Sequence, residues 1–245
     1  MLRRSRQLRN PGGRKGDRAI RLDDARVVMV GETHTRYDHH LTQLEIIRRL
    51  HELNPNLAIG MEAFQQPFQW ALDEYISGAM DEQEMLRATE YYQRWRMDYR
   101  LYAPILRYAR EHGLPVVALN LPAELTRQVG RHGMDGLSEE ARARLPAEID
   151  RTDAAYAQRL REVFAHHPNE RGQPFEHFLE VQLLWDEGMA ERAADYLEAN
   201  DGTPVTIPDS GVLSQGQMEA LIGLMYGPGS TADVPGGINS AAAPV

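Results

Sequence analysis

Short apolar runs alternate with longer stretches of helical periodicity in the first half of this 245-residue chain. Three aliphatic runs predict buried strands at residues 27–30, 57–61 and 115–119. Between the first two runs, apolar residues recur every three or four positions, which predicts a helix at 39–53. Strands that are separated by helices favour a parallel sheet with right-handed crossovers.

Helical patterns continue between the second and third runs and dominate the rest of the chain. They predict helices at 67–77, 81–95, 102–111, 122–131, 138–145, 150–165 and 174–199. We therefore expect an α/β fold with a parallel-sheet core, flanking helices and a helix-rich C-terminal half.

Composition divides the chain into three parts. Residues 1–22 hold eight of the 27 basic residues and read as a flexible basic arm, whereas the remainder is acidic and the whole chain carries a net charge of −9. Residues 23–226 read as a single α/β domain, and residues 227–245, rich in Gly, Pro, Ser and Ala, as a disordered tail. A basic arm could contact nucleic acid or anionic lipid, but the acidic body argues against nucleic-acid binding.

Two absences narrow the class of protein. The chain has no cysteine, which excludes disulfides, thiolate metal sites and a lipid-bearing cysteine. It also has no apolar run of about 18 residues, so we expect no transmembrane segment and a cytoplasmic protein as the sequence is written.

Polar side chains that could bind a metal or act in catalysis follow all three predicted strands. Glu32 and His34 come after the first strand, Glu62 after the second and Asn120 after the third. Ligands of open α/β sheets bind beyond the carboxyl ends of the strands, where these residues would meet. Carboxylate and imidazole together suit a divalent metal, or a base oriented by an acid. The structural alternatives are loop hydrogen bonds for Glu32 and His34, and a salt bridge for Glu62.

Two further groups have a structural explanation when they are taken alone. The tyrosines and tryptophan of residues 91–102 recur at helical spacing, which favours core packing for most of them. Tyr156 shares a helical face with apolar residues, and His166 and His167 end the same predicted helix, where a cationic imidazole suits the C-terminus.

Five stretches of the chain resemble one family. They read VVMVGETH, HHLTQLE, GMEAF, LYAPILRYAREHGLPVVALNLP and VQLLWDEGMA, and they lie in register between about residues 25 and 199. Together they resemble the ChaN-like haem-binding proteins, which share a superfamily with the Tiki metalloproteases, TraB proteins and erythromycin esterases. The resemblance implies a parallel α/β fold and a haem-binding protein of an iron-acquisition or haem-handling system.

The resemblance also implies a site. In the ChaN-like family a dimer holds two haems face to face, and the iron is bound by a tyrosine assisted by a histidine of the partner subunit. The matching stretch, DAAYAQRLREVFAHHP, makes Tyr156 the expected axial ligand and His167 the expected partner, with His166 as the substitute. A continuous helix would separate Tyr156 from His167 by about 16 Å, which favours a homodimer. The stretch VQLLWDEGMA offers Gln182, Asp186 and Glu187 as supporting residues behind the ligands.

The wider superfamily implies an alternative, a metal-dependent hydrolase of protease or esterase type. Gly31 and His34 match its first Gly-x-x-His element and Glu62 could supply its glutamate, so Glu32, His34 and Glu62 would form the hydrolase site. The second Gly-x-x-His element is missing, and only the segment TPVTIP could supply a degenerate last strand. We therefore lean against an enzyme. The family resemblance leaves a membrane-associated or periplasmic form open, whereas the lack of an anchoring cysteine departs from the family and argues against membrane attachment. A third alternative is a scaffold that binds a protein partner.

Overall fold

The sheet confirms the predicted parallel α/β architecture. A computed structural model describes residues 25–166, 172–200 and 205–209. Within them, four parallel strands pair in the order β1-β4-β2-β3. The strands are β1 (Val27–Gly31), β2 (Ala58–Gln65), β3 (Val116–Asn120) and β4 (Val205–Asp209). The degenerate strand expected in TPVTIP is β4, which is inserted between β1 and β2.

Helices fill the intervals between the strands, as predicted. They are α1 (Tyr37–Leu53), α2 (Gln69–Ser77), α3 (Glu82–Ala88), α4 (Tyr91–Arg94), α5 (Tyr99–His112), α6 (Ala123–His132), α7 (Glu139–Arg142), α8 (Ala154–His166) and α9 (Phe175–Ala199), with a 3₁₀ turn at Gln66–Phe68.

One predicted helix, at 81–95, is two helices. Asp81 and Glu84 form a reciprocal capping box that starts α3. The chain then reverses at Glu90, whose φ of 51° lies in the left-handed region, before α4 begins. Apolar periodicity could not indicate this break, because it continues across both helices.

The predicted end of the second strand was wrong. The apolar run ends at Met61, but β2 continues to Gln65, with an irregular register against β3 between Met61 and Gln65. Glu62 therefore lies inside the strand rather than after it. Such irregularities re-aim side chains near the end of a strand.

Helices cover both faces of the sheet. On one face, Ile47 of α1 and Ile105 of α5 pack with Ile59 of β2. On the other face, Met189 and Ala193 of α9 pack with strand residues that include Val117. β2 and β3 are thus almost wholly removed from water, as a parallel sheet requires. The buried strand predicted at 27–30 is only partly buried, because β1 lies at the edge of the sheet and its Met29 is exposed.

The outer edge of β3 is protected by a side chain. Gln69 donates Nε2–H to the Val116 carbonyl oxygen at 2.7 Å and accepts from the Ala118 N–H at 2.8 Å. The amide therefore makes the pair of hydrogen bonds that a neighbouring strand would make, which closes a strand edge that could otherwise pair with another chain.

Several predictions lie outside the described residues. These are the basic arm at 1–22, the tail at 227–245 and the role of His167. Among the helices that the structure describes, none is both long enough and apolar enough to cross a bilayer.

Candidate functional site

Glu32 and His34 meet in the turn that follows β1. Glu32 Oε1 lies 2.7 Å from Nδ1 of His34. The carboxylate is buried, with 3% of the side chain exposed, whereas 27% of the His34 side chain is exposed. Since a carboxylate only accepts hydrogen bonds, Nδ1 of His34 carries the hydrogen of this contact. The structure thus brings the predicted pair together, with the acid behind the imidazole.

His40 and Gln43, in the first turns of α1, form a buried support for this pair. Gln43 donates Nε2–H to the Val30 carbonyl oxygen at 2.9 Å, which fixes the orientation of its amide. Gln43 Oε1 therefore faces His40 Nδ1 at 3.1 Å. His40 Nε2 faces the His34 carbonyl oxygen at 3.1 Å and Glu32 Oε2 at 3.6 Å.

His40 is held between acceptors on both sides of its ring, because Gln43 Oε1 faces Nδ1 while the His34 carbonyl oxygen and Glu32 Oε2 face Nε2. Glu32 Oε2 has no hydrogen-bond donor among the described residues, and His40 Nε2 is the ring nitrogen that faces it. We call Glu32, His34, His40 and Gln43 the strand-edge network.

Aromatic rings enclose this network, as core residues rather than as a cofactor pocket. The Trp95 ring centroid lies 4.8 Å from that of His34, and the Tyr102 centroid lies 4.6 Å from that of His40. Burial raises the pKa of Tyr102, and the nearby Glu32 carboxylate raises it further. Core positions are confirmed for Tyr91, Tyr99 and Tyr102, whereas Tyr92 is exposed.

The expected divalent metal finds no support at the strand edge. Glu62 is near enough to Tyr102 to raise the pKa of that phenol, so it belongs to the same neighbourhood. Across residues 25–166, 172–200 and 205–209, however, no three His, Asp or Glu side chains are grouped closely enough to hold a metal ion. The ligand set that a metal-dependent hydrolase needs is not assembled there.

Tyr156 lies in a different part of the molecule, between α8 and α9. Only 2% of the residue is exposed, and it packs in an apolar cluster with Leu160 of α8 and Phe178 and Leu183 of α9. Its hydroxyl donates a hydrogen bond of 2.5 Å to Oδ2 of Asp186, which is 5% exposed. Burial, and then the Asp186 charge, raise the pKa of Tyr156.

Asp186 is the hydrogen-bond partner of Tyr156, which the sequence indicated only as a supporting residue without naming its contact. It stands 30 positions after Tyr156, and nothing in the local pattern pairs the two residues. Glu187, the next residue, accepts the Asp150 N–H at 3.1 Å and so ties the segment before α8 to α9. Burial raises the pKa of Glu187. These contacts show where Asp186 and Glu187 lie, and their supporting role stays a prediction.

His166 is the last residue of α8 and is exposed. Its Nδ1 donates to the Glu162 carbonyl oxygen at 2.9 Å, so Nε2 is the basic nitrogen of the neutral ring. Metal-binding histidines are commonly oriented in this way. Because α8 is continuous from Ala154 to His166, Tyr156 and His166 are about 15 Å apart along its axis.

The residues fit a haem iron by their chemistry but not by their exposure. A phenol beside a carboxylate is a suitable precursor of a tyrosinate ligand, and the oriented imidazole of His166 is a suitable second ligand. The phenol oxygen of Tyr156, however, faces the interior. The structure therefore supplies the ligand types without presenting the tyrosine to a ligand.

Comparisons with known proteins agree with the fold. Residues 19–208 match the family model described as haem-binding uptake, Tiki superfamily, ChaN. ChaN of Campylobacter jejuni, a solved structure with cofacial haem binding, aligns with a TM-score of 0.58 at 17% identity, over 78% of this chain and 71% of that chain. An erythromycin esterase variant, EreC in its open conformation, reaches a TM-score of 0.44 at 18% identity over 77% and 61% of the two chains, too low for a functional comparison.

A curated plant protein also shares part of the sequence. Protein RETICULATA-RELATED 5, chloroplastic, of Arabidopsis thaliana is 33% identical over 131 residues, which are 50% of this chain. The matched segment spans 17% of that relative's length.

Proposed function

This chain belongs to the ChaN family of haem-binding uptake proteins in the Tiki superfamily, and from that premise we propose that it binds haem through Tyr156. The observation that supports this choice is the hydrogen bond between Tyr156 and Asp186. A tyrosine that only packs in a core needs no carboxylate beside it, and burying such a carboxylate is costly. Bound haem would supply the iron chemistry, and the protein would supply the ligands and their orientation.

The second ligand comes from a partner chain in this proposal. With α8 continuous, Tyr156 and His166 of one chain cannot meet on one iron. A two-fold dimer overcomes this separation, because each haem then lies between Tyr156 of one chain and the histidine of the other. His167 is the expected histidine, and His166 is its substitute. The role of the complex is haem handling or iron acquisition.

The alternative of a metal-dependent hydrolase finds less support in the described residues. Glu32 and His34 do meet, but Glu62 does not join them in a metal-binding group. A haem-binding protein and a hydrolase also predict opposite responses to substitution. Haem binding depends on Tyr156 and is indifferent to His34, whereas hydrolysis depends on His34. A scaffold for a protein partner is indifferent to both.

The experiment is a haemin titration followed by absorbance. Wild type is expected to bind saturably with a tyrosinate-type spectrum, and Tyr156→Phe to lose that spectrum and at least about 100-fold in affinity, the equivalent of roughly 3 kcal/mol. Tyr92→Phe removes the same hydroxyl from an exposed tyrosine and is the matched control. His34→Ala tests the strand edge in the same assay. No saturable binding by wild type would contradict the proposal.

Trans ligation has its own test. Tyr156→Phe is mixed with a variant in which His166 and His167 are both replaced by alanine. Each variant alone lacks one ligand at every haem site. A mixed dimer restores one complete site only if tyrosine and histidine come from different chains. Recovery of the wild-type spectrum on mixing supports the dimer, and its absence in a demonstrated mixed dimer overturns trans ligation.

A further inference from the structure

The position of Tyr156 conflicts with direct coordination of haem. Its side chain is closed off by α9, and its hydroxyl is engaged by the buried carboxylate of Asp186. Haem is a broad, rigid plane with the iron at its centre, so only a ligand atom that faces an open surface or cleft can reach the iron. The Tyr156 oxygen does neither in this arrangement.

We propose that α8 is a movable helix that carries the ligand, and that haem binds only after the N-terminal half of α8 separates from α9. The closed arrangement is the haem-free state, in which Asp186 retains Tyr156. This inference rests on the proposed role of Tyr156 as ligand. It concerns how access to that ligand is controlled, which the assignment of ligands alone does not address.

The packing of the two helices indicates which one moves. α9 is anchored in the main core, where Met189 and Ala193 pack on the sheet. α8 is attached through a small separate cluster, in which Tyr156 and Leu160 meet residues near the beginning of α9. The face of α8 opposite Tyr156 is exposed, including Gln158 and Glu162. An element with one buried stripe on a satellite cluster opens at lower free energy than the core does.

Asp186 gives the closed state its specificity. A hydrogen bond to a charged acceptor is stronger than one between neutral groups, so the contact favours one seating of α8. The pocket that Tyr156 leaves on opening is lined by the α9 side chains Phe175, Phe178 and Leu183, against which α8 can close again when no haem is present. Access is thereby a reversible equilibrium rather than a permanent opening.

Two measurements test this mechanism. Rapid mixing with excess monomeric haemin is expected to give an observed rate that reaches a plateau, because opening limits binding. Hydrogen exchange of the haem-free protein is expected to show α8 amides exchanging together, well before those of α9 and the sheet. Leu160→Ala weakens the closed contact and is expected to raise the plateau at least about tenfold. Gln158→Ala, a truncation on the exposed face of α8, is the control and leaves it unchanged.

The outcomes separate this inference from the proposed function. In one outcome, the tyrosinate spectrum needs Tyr156 while the binding rate rises linearly with haemin concentration and the α8 amides are as protected as those of α9. That result overturns the movable helix but keeps Tyr156 as the ligand. A spectrum unchanged in Tyr156→Phe overturns the ligand itself, and the control of haem access with it. A plateau that Leu160→Ala raises and Gln158→Ala does not supports both.

Discussion

The strand-edge network and the pocket of Tyr156 differ in how they are assembled. Glu32, His34, His40 and Gln43 lie within twelve consecutive residues, and one strand, one turn and the start of one helix bring them together. Tyr156 and Asp186 come from two helices and stand 30 positions apart. The first site is built from local geometry, whereas the second exists only when α8 rests on α9. The comparison shows that a buried polar network built from neighbouring residues and a proposed ligand that needs access place different demands on a fold.

The strongest expected effect tests the rigid side of this comparison. His40→Leu removes the ring nitrogen that faces the buried Glu32 Oε2 and leaves Gln43 Oε1 without the partner that faces it. Leaving two buried oxygens without these partners is expected to lower the free energy of unfolding by about 3 kcal/mol or more. Urea denaturation measures this loss, while haem affinity per folded molecule stays unchanged. A loss below about 1 kcal/mol, or a parallel loss of haem affinity, would contradict the separation of the two regions.

The next effect concerns the support of Asp186. Gly188 approaches Leu121 so closely that an added Cβ would lie 2.4 Å from Leu121 Cδ1. Gly188→Ala is therefore expected to lower the free energy of unfolding by about 1–3 kcal/mol and to weaken haem binding by displacing α9.

Gly130, in the interior of α6, provides the opposite control for this substitution. An added Cβ there meets nothing nearer than 3.4 Å. Gly130→Ala should raise the melting temperature, by the equivalent of up to about 1 kcal/mol. If Gly188→Ala and Gly130→Ala destabilised the protein equally, the close approach of α9 to Leu121 would not be the reason that position 188 is a glycine.

The smallest effect is a pH dependence of stability. Burial raises the pKa of Tyr156 above its ordinary value of 10.0, so the folded protein keeps this phenol neutral where the unfolded chain ionises it. Its contribution to the free energy of unfolding is constant below about pH 10. Above that pH the unfolded chain ionises the phenol, and the contribution falls by about 1.4 kcal/mol per pH unit. Tyr156→Phe lacks this loss. The stability difference between wild type and Tyr156→Phe is therefore expected to shift against wild type between pH 9 and about 11, and a constant difference would show that Tyr156 is open to solvent.

The same contrast explains how much the sequence could predict. The turn after β1 was identified from local order, since an apolar run that stops at Gly31 places Glu32 and His34 at the edge of the sheet. Glu62 was misplaced because β2 continues, irregularly, beyond its apolar run. The reversal at Glu90 leaves no trace in periodicity, because it depends on a left-handed backbone conformation of an ordinary residue.

The second limit on prediction from the sequence was a contact between residues far apart in the chain, Tyr156 and Asp186. Periodicity gave Tyr156 a packing role, and only the family resemblance marked it as a ligand. Its contact with Asp186 depends on how α8 and α9 pack, and no local rule reports that packing. The closed position of the phenol, from which the inference about access follows, is likewise a property of tertiary structure alone.

The central claim is that the Tyr156 oxygen coordinates the haem iron. Resonance Raman spectroscopy of the haem complex, excited in the phenolate-to-iron charge-transfer band, tests this bond most directly. The account predicts phenolate modes that shift when the protein is labelled with ring-deuterated tyrosine and that disappear in Tyr156→Phe, while Tyr92→Phe retains them. A haem complex without such modes, or with modes that survive in Tyr156→Phe, would contradict it.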